Sequence, residues 1–334
     1  MRLLVLGGTH HVGRAYVETA LGLGHEVTTV NRGNVAAAAG VDARTADRTE
    51  PGSLAAALGG ETWDAVFDTW SLEPAVVQHS ARLLSDRVGH YGYVSSRSVY
   101  TWPIAPGADE SAPVVEADPA STDSEDYAAA KRGGELAVLE SFAGRSLLAR
   151  CGLVLGPYEI VGRLPWWLGR IARGGPVPAP GPRSRELQYV DARDLAAFMI
   201  GAAEAATTGV LDTVSAPGHT TIGELLEECV TATGADADLV WLTPEEVEAA
   251  GVGGWTDLPI WVPPSGELIG LHEGDSSAAR AAGLVCRPVA ETVADTWAWL
   301  QAEGFPPSRS GRAGALGTTA DQEAALLGVD LGDG

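Results

Sequence analysis

Apolar and polar positions follow two different periods along the first 155 residues. Short apolar runs bounded by glycine or polar residues are typical of buried strands, and longer segments with apolar residues three and four apart are typical of helices. The pattern predicts strands at 3–6, 26–30, 65–67, 92–94 and 146–155, another ending near Ala46, and helices at 12–23, 73–85 and about 125–142. Strands that alternate with helices in this way predict an α/β fold, a Rossmann-like doubly wound parallel sheet with helices on both faces.

The pattern changes after Pro157, where glycine, proline and tryptophan become frequent and the charged residues up to 182 are nearly all arginine. Further on, the periodicity predicts a strand at 188–190, helices at 191–204 (capped by Asp191), 221–233 and 289–301, and a short helix at 320–327. We therefore expect a dinucleotide-binding domain of residues 1–158 plus about 186–216, a smaller substrate-binding part of about 159–185 and 217–304, and a linker-like tail at 305–334.

Composition restricts the classes of function. The chain has 334 residues, 45% of them hydrophobic, and a formal net charge of −22. Such an acidic surface repels phosphate backbones, so we expect no nucleic-acid partner; solubility alone is the alternative explanation of the charge. Uninterrupted apolar runs stay below 18 residues, and the first strand is too short for a signal peptide, so we expect a cytoplasmic protein without a membrane partner. The three cysteines lie far apart and suggest neither a metal site nor disulfides.

A glycine-rich loop joins the first strand to the first helix. It reads Gly7-Gly8-Thr9-His10-His11-Val12-Gly13. Loop amides and the helix N-terminus can hold a pyrophosphate, with Gly7 permitting the turn and Gly13 letting the helix approach the sheet. A strand–turn–helix that uses glycines only for geometry is the alternative reading of these residues.

The end of the second strand bears on the choice of cofactor. Enzymes that select NAD usually present an acidic residue there to the adenosine ribose, but this chain has Asn31 followed by Arg32. Arg32, with help from His10, can pair with a 2′-phosphate, so NADP is the preferred expectation and NAD the alternative. Arg32 as a solvated loop residue is also compatible with the pattern.

A tyrosine and a lysine one helical turn apart are the main candidates for chemistry. Tyr127 and Lys131 share a helix face, and Lys131 is the only lysine of the whole sequence. A free tyrosine has a pKa of about 10, and a neighbouring ammonium favours its phenolate. The pair therefore suits acid–base catalysis, although an exposed Tyr–Lys pair is often without function.

Several motifs together resemble those of the extended short-chain dehydrogenase/reductases, including atypical members, in the NAD-dependent epimerase/dehydratase family. The loop is similar to GxxGxxG with His10 at the middle glycine, Tyr93–Tyr100 is similar to SSxSVY, and residues 127–131, 150–157 and 189–195 match YxxxK, RxxxVxGP and YVDxxDL. The likeness covers residues 1 to about 300. It implies a Ser96–Tyr127–Lys131 catalytic set, Tyr127 and Lys131 also at the cofactor, and Asp47 at the adenine.

The resemblance implies an NAD(P)-dependent carbonyl or alcohol reductase or an epimerase acting on a small molecule, as a monomer or homodimer. A dehydratase is disfavoured because Ser96-Arg97-Ser98 lacks an acidic pair. An inactive dinucleotide sensor or an RNA-binding relative is the alternative, since His10 replaces a glycine.

Aromatic and basic residues near the expected site are the candidates for binding substrate. They are Trp70, Trp102, Arg163 and Trp166. The aromatic side chains would narrow the pocket and slightly favour a compact or aromatic substrate. Arginines 163, 170, 173, 183 and 185 could receive a nucleotide diphosphate, or could neutralise acidic neighbours.

Overall fold

The computed structural model describes residues 1–305 and 316–328. Its strands, in chain order, are β1 Arg2–Leu6, β2 Glu26–Asn31, β3 Asp42–Thr45, β4 Trp63–Asp68, β5 Val88–Ser96, β6 Ser146–Cys151, β7 Leu153–Leu155, β8 Gly175–Pro180, β9 Glu186–Leu187, β10 Tyr189–Asp191, β11 Gly209–Thr213, β12 Thr220–Thr221, β13 Ala237–Leu242, β14 Gly254–Trp255 and β15 Leu258–Pro259.

Helices separate most of these strands. They are α1 His11–Gly22, α2 Ser53–Leu58, α3 Pro74–Leu84, α4 Tyr127–Phe142, α5 Arg163–Ala172, α6 Ala192–Glu204, α7 Ile222–Thr233, α8 Pro244–Ala249, α9 Ser277–Ala281, α10 Val289–Glu303 and α11 Ala320–Leu327, with 3-10 turns at Arg97–Val99 and Ile269–His272. In the described part of the chain, none of these helices has the length and apolar character needed to cross a membrane.

Seven strands form one parallel sheet in the order β11-β6-β5-β4-β1-β2-β3. In the register, Leu6 of β1 stands beside Val30 of β2 and Asp68 of β4. The carboxyl ends of these strands therefore meet at one edge, where doubly wound sheets bind ligands. The predicted α/β fold is confirmed.

Side-chain alternation along the strands builds an apolar core on each face of the sheet. Leu3 and Val5 of β1 face the core formed with α1 and α6, and Leu4 and Leu6 face the core formed with α2, α3 and α4. Continuous apolar runs are expected for strands that are covered on both faces.

A second unit, which we define by its own apolar core, includes α5, α7 and α10 and the parallel pair β8–β13. Trp167 and Val293 are fully buried there. The sequence analysis did not predict α5, which lies in the segment where glycine, proline and tryptophan are frequent and contains Pro165 and Gly169. Helix α11 has the bounds predicted from the sequence, and it packs on this core rather than standing apart from it.

One predicted strand is wrong in its extent. The run 146–155 is two strands, because β6 ends at Cys151 and β7 pairs with β10 outside the main sheet. Gly152 lies between them, where an added Cβ would be 2.6 Å from a methyl carbon of Val214. The chain turns at this glycine from the sheet toward the second unit.

Candidate functional site

The loop after β1 is held tightly by its glycines. Gly7 has a φ of +125°, and an added Cβ would lie 2.6 Å from Thr69 Oγ1. At Gly13, inside α1, a Cβ would lie 2.6 Å from the backbone nitrogen of Gly8. A residue with a Cβ would be strained at Gly7, where φ is positive, and at Gly13 it would force the backbone to move. The roles that the sequence suggested for Gly7 (turn) and Gly13 (close helix approach) agree with this geometry.

The two histidines of the loop differ in their surroundings. His10 precedes the first residue of α1 in an extended conformation, and His11 begins the helix with a φ of +33°. Burial lowers the pKa of His11 to about 4, although a hydrogen bond with the Leu155 backbone opposes this shift. His11 is therefore neutral near pH 7, and its ring joins the loop to the end of β7. Val12 follows it and is half-buried.

A cleft of about 540 Å³ opens at the carboxyl ends of β1 to β4. Five predicted cofactor residues line it, together with Arg48 and Trp70: Gly7, Thr9, His10, Asn31 and Arg32. Its volume is in the range of ligand pockets, and the first turn of α1 borders it. We call the loop at residues 7–13 the glycine cradle. The cradle and the cleft together fit a dinucleotide, whose pyrophosphate would lie toward the loop amides.

The rim of this cleft at the end of β2 carries no acidic residue. Asn31 Oδ1 accepts the backbone N–H of Gly33 at 2.8 Å, and the next residue, Arg32, is exposed. Hydrogen bonds from Thr49 lower the pKa of Asp47, and the charge of Arg32 contributes to the shift. Asp47 and Arg32 therefore lie near one another beside the cleft.

Lys131 is buried between the ends of two strands. Its Nζ donates to the carbonyl oxygens of Trp70 and Val94, both at 2.7 Å, and lies 5.0 Å from the ring centre of Tyr93. Only 2% of the residue is exposed, and burial lowers its pKa to about 8. Two of the three ammonium donors are thus used by the main chain, which holds the group at the end of β5.

Tyr127 is the first residue of α4, where the carboxylate of Asp126 accepts the N–H groups of Ala128 and Ala129. The tyrosine is 37% exposed, and it lies close enough to Arg163 for its charge to act on the pKa of that guanidinium. The phenol therefore borders solvent one turn before the buried Lys131.

Ser96 ends β5, two residues after the carbonyl that binds Lys131. Its Oγ accepts the N–H of Ser98 at 3.1 Å, which leaves the hydroxyl hydrogen available for another acceptor. Ser96 and the ammonium of Lys131 therefore both lie at the end of β5, and Tyr127 lies one helical turn before Lys131 on α4.

Two buried charge networks behind the site were missed by the sequence reasoning. Asp68, at the end of β4, binds Arg48, and Glu135 of α4 binds Arg150 through two bonds of 2.8 and 2.9 Å. Glu135 Oε1 also accepts the hydroxyl of Ser95 at 2.7 Å. An aspartate directly after the apolar run of β4 was the available signal for the first network, because an unpaired carboxylate there would be costly to bury.

The four predicted substrate residues lie in different places. Trp70 lines the cofactor cleft, and Trp102 is half-buried in the loop after β5. Arg163 begins α5, with its guanidinium carbon 4.5 Å from the ring centre of Trp255. Trp166 borders a separate groove of about 230 Å³ with Phe305 and Leu316. Arg163 is the member of this set with an electrostatic connection to Tyr127.

The five arginines between residues 160 and 186 do not form one anion-binding cluster. Arg170 and Arg173 pair with Glu323, Arg183 with Glu227, and Arg185 with Glu273. Arg163 forms none of these pairs; burial lowers its pKa and the charge of Glu159 opposes this, and its Nε, like that of Arg185, has no hydrogen-bond partner among residues 1–305 and 316–328. Arg170, Arg173, Arg183 and Arg185 are therefore explained as partners of acidic neighbours.

Residues 3–214 match the NAD dependent epimerase/dehydratase family. The chain belongs to this family, and it is an NAD(P)-dependent enzyme of the short-chain dehydrogenase/reductase type. The resemblance read from the motifs is confirmed. No curated protein sequence gives a significant match.

Solved structures share the fold at low sequence identity. The enzyme WbmH of Bordetella bronchiseptica, in complex with NAD⁺, is 16% identical with a TM-score of 0.68, over 91% of this chain and 99% of that one. WbmG of the same organism, with NAD and UDP, is 19% identical with a TM-score of 0.65, over 92% and 97%. The UDP-glucose 4-epimerase of Thermotoga maritima, with UDP-glucose, is 16% identical with a TM-score of 0.63, over 90% and 99%.

Proposed function

We propose that this enzyme oxidises and reduces a carbinol or ketone, as a reductase or an epimerase, with Ser96, Tyr127 and Lys131 as its catalytic set. The observation that carries the proposal is the position of Lys131, whose Nζ is held at the ends of β4 and β5 beside the dinucleotide cleft. Tyr127 lies one helical turn before it. A dehydratase is not proposed, because Arg97 is buried in an ion pair with Asp212 at the position next to Ser96.

Each member of the set has one task. The Tyr127 phenol oxygen takes the proton of the substrate hydroxyl in oxidation and returns it in reduction. The Lys131 ammonium favours the phenolate through its positive charge. The Ser96 hydroxyl donates a hydrogen bond to the same substrate oxygen. A bound nicotinamide supplies the redox chemistry, and the protein supplies orientation and proton transfer.

NADP is the cofactor we propose, with NAD as the alternative. Arg32 lines the cleft on the side of β2, and Asn31 brings no negative charge to repel a 2′-phosphate. We expect NADPH to bind more tightly than NADH, and Arg32→Ala to weaken NADPH binding about tenfold with little effect on NADH. Fluorescence titration measures both constants, with the exposed Arg280→Ala as the control. Tighter binding of NADH to the unaltered protein would contradict the preference.

A compact alcohol or ketone with an anionic group is the substrate class we propose. Arg163 supports it, because its guanidinium is near Tyr127 and, although the charge of Glu159 acts on it more strongly, it forms none of the ion pairs that hold Arg170, Arg183 and Arg185. These ion pairs leave no cluster of unpaired arginines between residues 160 and 186 for a diphosphate of the substrate. Epimerisation of a nucleotide sugar is the second candidate, favoured by two similar structures that are complexes with UDP and with UDP-glucose.

The test is a substrate panel with both cofactors. Hydroxy acids and keto acids are assayed by nicotinamide absorbance, and UDP-glucose and UDP-galactose by NMR of the sugar. We expect turnover of an anionic compact substrate, at least a hundredfold loss with Tyr127→Phe, and a KM at least tenfold higher with Arg163→Gln. Tyr158→Phe is the control, because Tyr158 is a half-buried tyrosine that does not line the cleft. Full activity of Tyr127→Phe would contradict the catalytic set. Cofactor binding without turnover of any substrate would favour a sensor, and turnover of UDP-sugars alone would favour the second candidate.

A further inference from the structure

A fully buried carboxylate stands at the end of β4, below the cofactor cleft. Asp68 accepts the two terminal nitrogens of Arg48 at 2.7 and 2.6 Å and the hydroxyl of Tyr91 at 2.7 Å. Arg48 also donates to Ser80 Oγ and lies 5.1 Å from the ring centre of Trp70. A buried ion pair with this many charge-assisted hydrogen bonds is rigid, because breaking any of them would leave a charge without a partner.

The same carboxylate is connected to Lys131 through one residue. Asp68 Oδ1 accepts the backbone N–H of Trp70 at 2.9 Å, and the carbonyl oxygen of Trp70 accepts Nζ of Lys131 at 2.7 Å. Trp70 is fixed further by its indole, which donates to the Glu73 carbonyl at 3.1 Å. The main-chain atoms on both sides of Trp70 are therefore engaged, one toward Asp68 and one toward the lysine.

We propose that Asp68 is a positioning residue for Lys131: through the Trp70 backbone it sets the place of the ammonium, and through its own negative charge it keeps that ammonium protonated. Arg48 completes this hydrogen-bonded arrangement, because it lines the cofactor cleft and its positive charge keeps the Asp68 carboxylate ionised. Asp68 does not touch substrate or cofactor in this assignment. The inference does not depend on which substrate the enzyme uses.

The groups around Lys131 come from four elements. Asp68 lies on β4, Tyr93 on β5, Glu135 on α4 and Cys151 on β6. Burial lowers the pKa of Lys131 to about 8, and the charge of Asp68 is the largest influence that opposes burial. Removing this charge should therefore lower the pKa of Lys131 further.

The chain offers a direct measurement, because Lys131 is its only lysine. Protein grown with [ε-¹³C]lysine gives a single lysine resonance, whose shift with pH reports the protonation of Lys131. We expect a midpoint near pH 8 in the unaltered protein. In Asp68→Asn we expect the acid dissociation constant of the ammonium to rise at least threefold. With a substrate in hand, kcat at neutral pH should fall while KM changes little.

Asp194→Asn is the matched control. Asp194 is also a buried carboxylate held through two bonds by an arginine, Arg287, and it is not among the groups that act on Lys131. We expect the lysine midpoint of this variant to stay as in the unaltered protein. A shift as large as that of Asp68→Asn would overturn the proposal.

A folded Asp68→Asn variant with an unchanged lysine midpoint would also overturn the proposal. If Asp68→Asn does not fold, the double variant Asp68→Asn/Arg48→Gln replaces it, since it leaves no unpaired buried charge. The same rise of the dissociation constant is expected there, and its absence counts equally against the inference. A failed substrate search would leave this measurement intact, so the proposed reaction and the role of Asp68 fail independently.

Discussion

Buried charge is used differently at the sheet edge and in the second unit. At the sheet edge, Lys131 and Asp68 are bonded to the main chain of residues that line or border the cofactor cleft. In the second unit, arginines pair with glutamates from distant segments, as Arg170 does with Glu323. The first arrangement places charge beside the proposed catalytic residues, and the second connects distant parts of the chain. Loss of a charge should therefore affect activity in the first region and stability in the second.

The largest difference is expected between variants of two buried cations, Lys131 and Arg170. Lys131→Met should lower kcat at least a hundredfold, because Tyr127 loses the charge that favours its phenolate, with little loss of structure. Arg170→Met should leave activity within about twofold while the protein unfolds earlier, since Glu323 loses the hydrogen bonds that it accepts from the buried Arg170. Steady-state kinetics and denaturant unfolding measure the two changes. Equal losses of activity in both variants would remove the distinction between the regions.

The glycine cradle is tested by two substitutions on one helix. Gly13→Ala places a Cβ within 2.6 Å of the Gly8 nitrogen, so we expect cofactor binding to weaken at least tenfold and stability to fall by about 1–3 kcal/mol. At Gly22, near the end of α1, nothing lies within 4 Å of an added Cβ. Gly22→Ala should keep the affinity and stabilise the protein by about 0.5–1 kcal/mol. Unchanged cofactor affinity in Gly13→Ala would contradict a loop that needs close helix approach.

The pH dependence of activity should reflect Lys131. Its pKa in the folded protein is about 8, below the ordinary 10.5. The ammonium is therefore lost as pH rises through 8, and kcat/KM should then fall about tenfold per pH unit. Stability should change in the opposite direction: between pH 8 and 10.5 the unfolded chain binds the proton and the folded chain does not, so this group makes unfolding less favourable as pH rises. A pH–rate profile that is flat to pH 10 would show that the charge is not needed.

The smallest effects are expected on stability, when either of two ion pairs inside the second unit is broken. Glu323→Gln breaks the pair with the buried Arg170, and we expect a loss of about 1–2 kcal/mol. Glu227→Gln breaks the pair with Arg183, whose side chain is 63% exposed, and solvent screening should limit the loss to about 0.5 kcal/mol. Thermal unfolding resolves the difference. Equal losses would mean that burial does not determine the strength of these pairs.

The sheet and the cofactor loop could be predicted from sequence because local patterns specify them. Asp191 caps α6 as predicted, and Gly13 meets Gly8 only a few residues away. The remaining features depend on residues that are distant along the chain. No local sequence pattern indicates that Arg97 pairs with Asp212, or that β11 joins the main sheet beside β6. In the second unit, α7, α10 and α11 were predicted, but α5 and the paired strands β8 and β13 were not, because the partners of these strands are distant along the chain.

Helix α11 has a consequence for synthesis of the protein. Its Leu326 is buried in the same core as Trp167, and its Glu323 binds Arg170. These residues leave the ribosome after the rest of that core, so an apolar surface on α5 and β8 stays uncovered until they emerge. A polypeptide truncated ahead of residue 320 would keep this surface open and be prone to aggregation, even though every residue of the Rossmann sheet is present.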